Sequence, residues 1–292
     1  MRPWYPTTQH HIDLAGRAGC SALFAGTIAL RRIDRAPMAR QELACHTPEG
    51  EITPRCAGPR GERSGPRADK IELVSGEGGR TAPAGIDAVV FDLGGVLLDW
   101  NPRYVYRELF RGDESAMEAF LATVCTMEWH YQHDLGRPMS ESCAELATVH
   151  PDKAELIWAW RNRAREMIGG PIEDTVSILR ELSGCGMPCY ALSNWPAETF
   201  VYTRERFGFF SYFDGIVISG DEGVAKPDPR IFRRLLTRYR LTPRSTLFID
   251  DHRSHLATAK AMGIRTVQFE TPALLRRRLA DLGPLDDRNA RW

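Results

Sequence analysis

The chain has very little lysine. Only Lys70, Lys153, Lys226 and Lys260 stand among its 38 basic residues, and 38 acidic residues match them, so neither sign of charge is in excess. A neutral chain cannot gather a polyanion through its overall field, which excludes a protein whose main task is to hold nucleic acid or an anionic membrane. Long hydrophobic runs are missing too. The most apolar early window, CSALFAGTIAL at 20–30, is too short to span a bilayer, and Asp13, Arg17 and Arg31-Arg32 around it fit neither a secretory leader nor a lipoprotein signal. The seven cysteines (20, 45, 56, 125, 143, 185, 189) are odd in number and contain no C-x-x-C pair, so neither a disulfide framework nor a zinc site is expected. Together these absences predict a soluble protein of a reducing compartment, the cytoplasm.

What is present changes character along the chain. Residues 1–84 contain stretches such as TPEGEITPRCAGPRGERSGPR, crowded with Pro, Gly and Arg and showing neither a period of 2 nor one of 3.6. Such composition cannot bury enough apolar surface to offset chain ordering, so this segment is expected to be disordered, or to lie ahead of the true start.

From residue 85 short apolar runs alternate with helical periods. AVVF (88–91), CYAL (189–192), IVIS (216–219), TLFI (246–249) and RTVQF (265–269) read as strands, and 172–183, 197–207, 229–239 and 254–262 as helices. Apolar runs without alternation mark strands buried on both faces. The fold class is therefore α/β: a Rossmann-like parallel sheet with helices on both faces. Its core comprises 85–101 and 185–292. The block 102–184 is far longer than a crossover needs, carries helical periods and no convincing strand, and is expected to be an inserted helical cap with a return helix to the core. Gly169-Gly170-Pro171 would break its last helix and act as a hinge.

In an open parallel sheet, ligands bind beyond the carboxyl ends of the strands. The polar residues that follow each run should therefore converge: Asp92, Ser193-Asn194, Lys226 and Asp250-Asp251. Carboxylates of such a set can hold a hard divalent cation, a lysine and an amide can hold an anion, and one carboxylate can attack it. Two adjacent acids at the end of a buried strand repel and resist desolvation unless a cation compensates. Asp228-Pro229 has a purely structural account, as N-cap and first residue of a helix.

The segments VVFDLGGVLLDW, YALSNWPAETF, AKPDPRIF and FIDDHRSHLATAKAMGI stand in the order and spacing of the four motifs of the haloacid dehalogenase-like (HAD) hydrolase superfamily, which the chain resembles over about 86–270. The resemblance is to the branch whose helical cap follows the first strand. It implies a Mg²⁺-dependent phosphatase acting on a small phosphorylated metabolite through an aspartyl-phosphate intermediate. Asp92 would be the nucleophile, Ser193 and Asn194 would bind phosphoryl oxygens, Lys226 would neutralise charge, and Asp250 and Asp251 would position the metal with Asp92 and the carbonyl of Gly94.

The chain departs from the pattern at Gly94, where most phosphatases of the superfamily carry a second aspartate as general acid. Asp99 is too far along to replace it by simple spacing. The loss keeps two alternatives open: a metal-free 2-haloacid dehalogenase, which would have no use for Asp250-Asp251, and a catalytically silent phosphate-binding module. His255, where related sequences often show asparagine, reads as a surface helix residue. In the insertion, Trp129, His130, His133, Trp158 and Trp160 are expected to pack its core. The HDLGRP turn, His133 to Pro138, is the part expected to approach the site, with Arg137 gripping an anionic substrate.

Overall fold

The computed structural model describes residues 85–285, so the expectation for 1–84 lies outside the described residues. Five strands, β1 (Ala88–Phe91), β4 (Cys189–Ser193), β5 (Gly215–Ile218), β6 (Thr246–Asp250) and β7 (Arg265–Gln268), form one sheet in the order β5-β4-β1-β6-β7, with every neighbouring pair parallel. Each apolar run expected to be a strand is one, with its ends within one residue.

Burial on both faces explains why these runs carry so little polarity. Val89 and Phe91 of β1, with Ala191, Leu247 and Ile249, face a layer formed by α6 (Glu173–Gly184) and α11 (Pro272–Leu282). Val90, with Leu192, Val217 and Phe248, faces the opposite layer of α9 (Pro229–Tyr239) and α10 (Arg253–Ala261). Each such side chain contributes roughly 1.5–3 kcal/mol by leaving water. Helix α9 starts as its sequence requires: the Asp228 carboxylate accepts from the Arg230 N–H, and Pro229 occupies the first turn, where its missing N–H is not needed. Two further helices flank the strand ends, α7 (Ala197–Arg206) after β4 and the single turn α8 (Ser219–Glu222) after β5.

Between β1 and β4 lie β2 (Leu98–Trp100), five helices α1 to α5 (Arg103–Leu109, Glu114–Thr123, Met127–Asp134, Met139–Val149, Ala154–Asn162) and β3 (Ile168–Pro171). The helices build a core of their own from residues that include Tyr106, Met117, Phe120, Ile157 and Trp160. Asp113 and Thr126 cap α2 and α3 by accepting from Ala116 N–H and Trp129 N–H.

Two expectations need correction here. The segment 102–184 does contain a strand: Gly169-Gly170-Pro171 is not a bare helix-breaking hinge but the body of β3, paired antiparallel with β2, so the chain leaving the sheet is bonded to the chain returning. The glycine is required because a Cβ at Gly169 would lie 2.9 Å from the Tyr104 ring and 3.0 Å from the Asp99 carboxylate. The return helix α6 joins the core layer with α11, through Val176, Ile178, Leu179 and Leu182.

Candidate active site

The parallel sheet delivers Asp92, Ser193, Lys226 and Asp250 to one end. Asp92 follows β1, and its Oδ1 accepts from the Leu93 N–H (2.7 Å), the Ser193 hydroxyl (2.8 Å) and the Lys226 ammonium (2.9 Å). Lys226 is fully buried and also donates to Asp250 Oδ2 at 2.7 Å. Its Nζ lies 5.4 Å from the centre of the Phe248 ring, so the apolar layer beneath the sheet helps to hold the ammonium. Burial alone would lower the lysine's pKa, but the Asp250 and Asp92 carboxylates more than reverse this and keep it charged. Burial pushes the Asp92 carboxyl above its ordinary value, and the same ammonium opposes that rise.

Asn194 has a structural task as well. Its amide donates to the Lys226 carbonyl (2.9 Å), and its oxygen accepts from the Lys226 N–H (2.8 Å). One N–H of the amide and its oxygen are thus spent on shaping the lysine loop, and Asn194 also lines the cavity over Asp92. Arg137 is placed elsewhere: it pairs with Glu145 at 2.5 Å and is not among the residues that line the cavity over Asp92.

The two acids at the end of β6 differ. Asp250 is fully buried with both oxygens engaged: Oδ1 accepts from the His252 N–H (2.7 Å), Oδ2 from Lys226, and His255 Nδ1 stands 3.0 Å from both. Burial would raise its pKa, but Lys226 and His255 outweigh burial and hold it below the usual carboxylate range. His255 is therefore not the surface residue expected. It is 8% exposed because α10 turns the face bearing Leu256 and Ala259, and His255 with them, inward.

Asp251 has a buried Oδ1 with no hydrogen-bond partner, and its closest cationic candidate, His252 Nε2, is 3.9 Å away. Burial, then the charges of Asp92 and Asp250, push its carboxyl up to about 7. Gly95, at φ +74°, passes close beneath, and a Cβ there would lie 2.8 Å from Asp251 Oδ2. Gly94 is different: a Cβ added to it would meet only the Trp195 ring at 3.9 Å, so nothing but sequence withholds a side chain at that position.

Asp92, Gly94 and Asp251 line a cavity of about 1010 Å³ whose far walls come from the insertion. Trp100, Met139, Trp160 and Met167 contribute apolar surface there, and Asp99 also reaches it, with its carboxylate accepting from the Tyr104 hydroxyl. The aromatic and histidine set does pack the insertion, with Trp160 and His130 buried and Trp129 against both Trp160 and His133. Trp160 and His130 have in addition a side on the cavity. The HDLGRP turn comes close as expected: Gly136, at φ +90°, lies so near α8 that a Cβ would stand 2.7 Å from the Gly220 carbonyl. The residue this brings in is Asp134, which lines the cavity and which the reading of the turn passed over for Arg137. Its spacing of four from His130 on α3 was the signal available.

Residues 86–263, which contain every strand end just described except β7, match the haloacid dehalogenase-like hydrolase family. The chain belongs to that family. Over 179 residues this hydrolase is 29% identical to a sesquiterpene phosphatase of Aspergillus oryzae, a match covering 61% of this chain and 86% of that one. It is 41% identical over 204 residues to acyl-CoA dehydrogenase family member 10 of Mus musculus, covering 63% of this chain but only 18% of the mouse protein, less than a fifth of its length. The magnesium complex of a HAD family enzyme of Bacteroides thetaiotaomicron shares the fold with a TM-score of 0.52 at 21% identity, covering 66% of this chain and 100% of that one. A HAD-like family hydrolase of Porphyromonas gingivalis does so at 0.51 and 22%, covering 67% and 98%. Among the described residues no helix is long and apolar enough to cross a membrane.

The donor set suits a hard cation. Ligand atoms of Asp92, Asp250 and His255 lie within 4.8 Å of one another, but the Lys226 ammonium already bridges the two carboxylates of that trio. The carboxylate left without such a partner is Asp251, whose buried Oδ1 is orphaned and whose pKa Asp92 and Asp250 raise further after burial. Oxygen donors of this kind match Mg²⁺ rather than a softer metal.

Proposed function

We propose that this hydrolase is a Mg²⁺-dependent phosphatase that transfers the phosphoryl group of a small monoester to Asp92. The observation that carries this reading is the Asp92 carboxylate bracketed by the Ser193 hydroxyl and the Lys226 ammonium, in a cavity that Asp251, with its orphaned Oδ1, also lines. Asp92, Asp251 and the Gly94 carbonyl would hold the metal, and Asp250 would fix Lys226 and His255 around them. Bound there, Mg²⁺ would neutralise phosphoryl charge and the repulsion between the acids.

The protein's own residues do the rest. Lys226 keeps Asp92 anionic and oriented, and offers charge to the equatorial oxygens as it spreads. Ser193, whose hydroxyl rotates freely between acceptors, can turn from Asp92 to a phosphoryl oxygen. Asp92 then forms an acyl phosphate, which water cleaves. The helical insertion acts as the cap, closing the apolar wall over the alcohol part of the ester. That wall, and the likeness to a phosphatase named for sesquiterpenes, favour an ester whose alcohol carries apolar surface. Cytoplasmic location is part of the same proposal.

The test is a Mg²⁺-dependent screen of phosphate esters, from sugar phosphates to isoprenyl phosphates and p-nitrophenyl phosphate, with the Asp92→Asn variant as control. Turnover abolished by Asp92→Asn and by chelator is the expected result, with apolar alcohols leading. Turnover of a 2-chloroacid that survives chelator would replace this reading with a dehalogenase. Binding of phosphate without turnover of any ester would leave a silent module.

A further inference from the structure

If the phosphatase reading holds, the enzyme needs a proton for the departing alkoxide, and Gly94 cannot give one. We infer that Asp134, supplied by the cap, is the general acid that protonates the leaving group.

Four observations place it there. Asp134 lines the same cavity as Asp92 and Gly94, although 42 residues separate it from the nucleophile. It is 1% exposed, and its buried Oδ1 has no partner within hydrogen-bond distance. It is the last residue of α3, where the negative end of the helix disfavours a carboxylate. And the turn that follows is pressed onto α8 through Gly136 and Gly220, which fixes this end of α3 against the core.

The neighbours set its protonation. On its own helix, His130 Nε2 stands 3.7 Å from Asp134 Oδ1. His130 Nδ1 accepts the Trp160 indole N–H at 3.2 Å, which leaves the imidazole proton on Nε2, facing the acid. Burial, then His133, lower the His130 pKa to about 3, so this ring stays neutral and gives the acid no counter-charge. Tyr131 on the same helix is a phenol whose pKa is raised by burial first and then by Asp134 itself. From the core, Lys226 and Asp92 act on Asp134 in opposite senses, and burial dominates both, raising its pKa to about 8. On α8 the Glu222 carboxylate is taken up by Arg234 and Arg238. Asp134 is thus a neutral acid at pH 7, which is the form a proton donor requires.

The step balances. The bond from Asp92 oxygen to phosphorus forms as the phosphorus–alkoxide bond breaks, and the alkoxide takes the proton of Asp134, leaving its carboxylate in the field of Lys226. Water then attacks the acyl phosphate, Asp92 departs as carboxylate, and Asp134 recovers a proton from that water. Asp92 must be ionised and Asp134 protonated at the start, so these two carboxyls have opposite roles.

The experiment compares wild type with Asp134→Asn on an alkyl phosphate and on p-nitrophenyl phosphate, whose leaving group needs little protonation. The inference expects kcat to fall about 10²–10⁴-fold for the alkyl ester and under tenfold for the aryl ester. It also expects the wild-type alkyl rate to decline as pH rises through about 8, and that decline to vanish in the variant. Protection of both proteins from thermal unfolding by Mg²⁺ with inorganic phosphate shows that the variant is folded with its phosphate site intact. Equal losses on both esters, or an undiminished alkyl rate, overturn the role of Asp134 alone. A wild type that hydrolyses neither ester overturns the phosphatase reading and this inference with it.

Discussion

Asp134→Asn should make the protein more stable, and by an amount that depends on pH. An acid whose folded pKa is raised works opposite to an ion-paired carboxylate. In the unfolded chain Asp134 ionises near 3.8, whereas in the fold burial holds the proton on up to about 8. Below pH 3.8 both states are protonated and the residue contributes nothing. Between 3.8 and 8 the unfolded state releases a proton that the folded state retains, and the fold is destabilised progressively, fully so above 8. At pH 7 the mismatch spans about three pH units at 1.36 kcal/mol each, or about 4 kcal/mol. Asparagine has the same shape and no such titration. Allowing for a polar amide still lacking one partner, roughly 2–4 kcal/mol should be recovered, which is about 5–15 °C in a domain of this size. Thermal unfolding of the pair at pH 4, 7 and 8.5 checks it: a small difference at pH 4 that widens steadily towards 8.5. A gain independent of pH, or a loss at pH 7, would refute the reasoning.

Other expectations follow from the same geometry. Lys226→Met leaves Asp92 and Asp250 buried without their common cation, which should cost about 3–5 kcal/mol in urea denaturation and abolish ester turnover; lysine-to-arginine should not rescue it, because a fully buried slot has no room for the guanidinium fork. Gly95→Ala forces a Cβ onto Asp251 Oδ2 at a left-handed φ, so stability should drop by about 1–3 kcal/mol and the Mg²⁺ concentration for half-maximal activity should rise. Gly94→Asp fits the space beside Trp195; introduced into Asp134→Asn, it should restore at least tenfold of the lost alkyl phosphate turnover, read by steady-state kinetics.

The sheet and its chemistry were legible because both obey one-dimensional rules. A strand buried on two faces must be an unbroken apolar run, and the residue after such a run must emerge at the ligand-binding edge, so Asp92, Ser193 and Asp250 could be placed from spacing alone. What stayed hidden depends on rotation about helix axes and on what a side chain meets across the molecule. His255 looks like any polar residue of an arginine-flanked helix start, and only the packing of Leu256 and Ala259 turns it toward Asp250. Asn194 has the chemistry to hold an anion, and only the approach of the Lys226 backbone shows that its carboxamide also shapes the lysine loop. β3 escaped notice because IGGP holds two glycines and a proline, a composition that disfavours strands unless a partner such as β2 supplies the bonds. In the insertion, the sequence marks the HDLGRP turn as the part that comes near, but its charge points to Arg137. The carboxyl that arrives is the one whose charge burial removes.

The β2–β3 ribbon has a further consequence. Because the polypeptide departs from and returns to the sheet as two hydrogen-bonded neighbours, everything between residues 101 and 167 begins and ends at nearly one point. A segment anchored in this way can lengthen, shorten or be exchanged for another without shifting any strand of the sheet, since closing a loop depends only weakly on its length. The half of the cavity built at the strand ends and the half built from the insertion are thus free to change at different rates. A lineage can keep Asp92, Lys226 and the paired acids untouched while it tries new walls around them, and on the inference above those walls bring the proton donor with them.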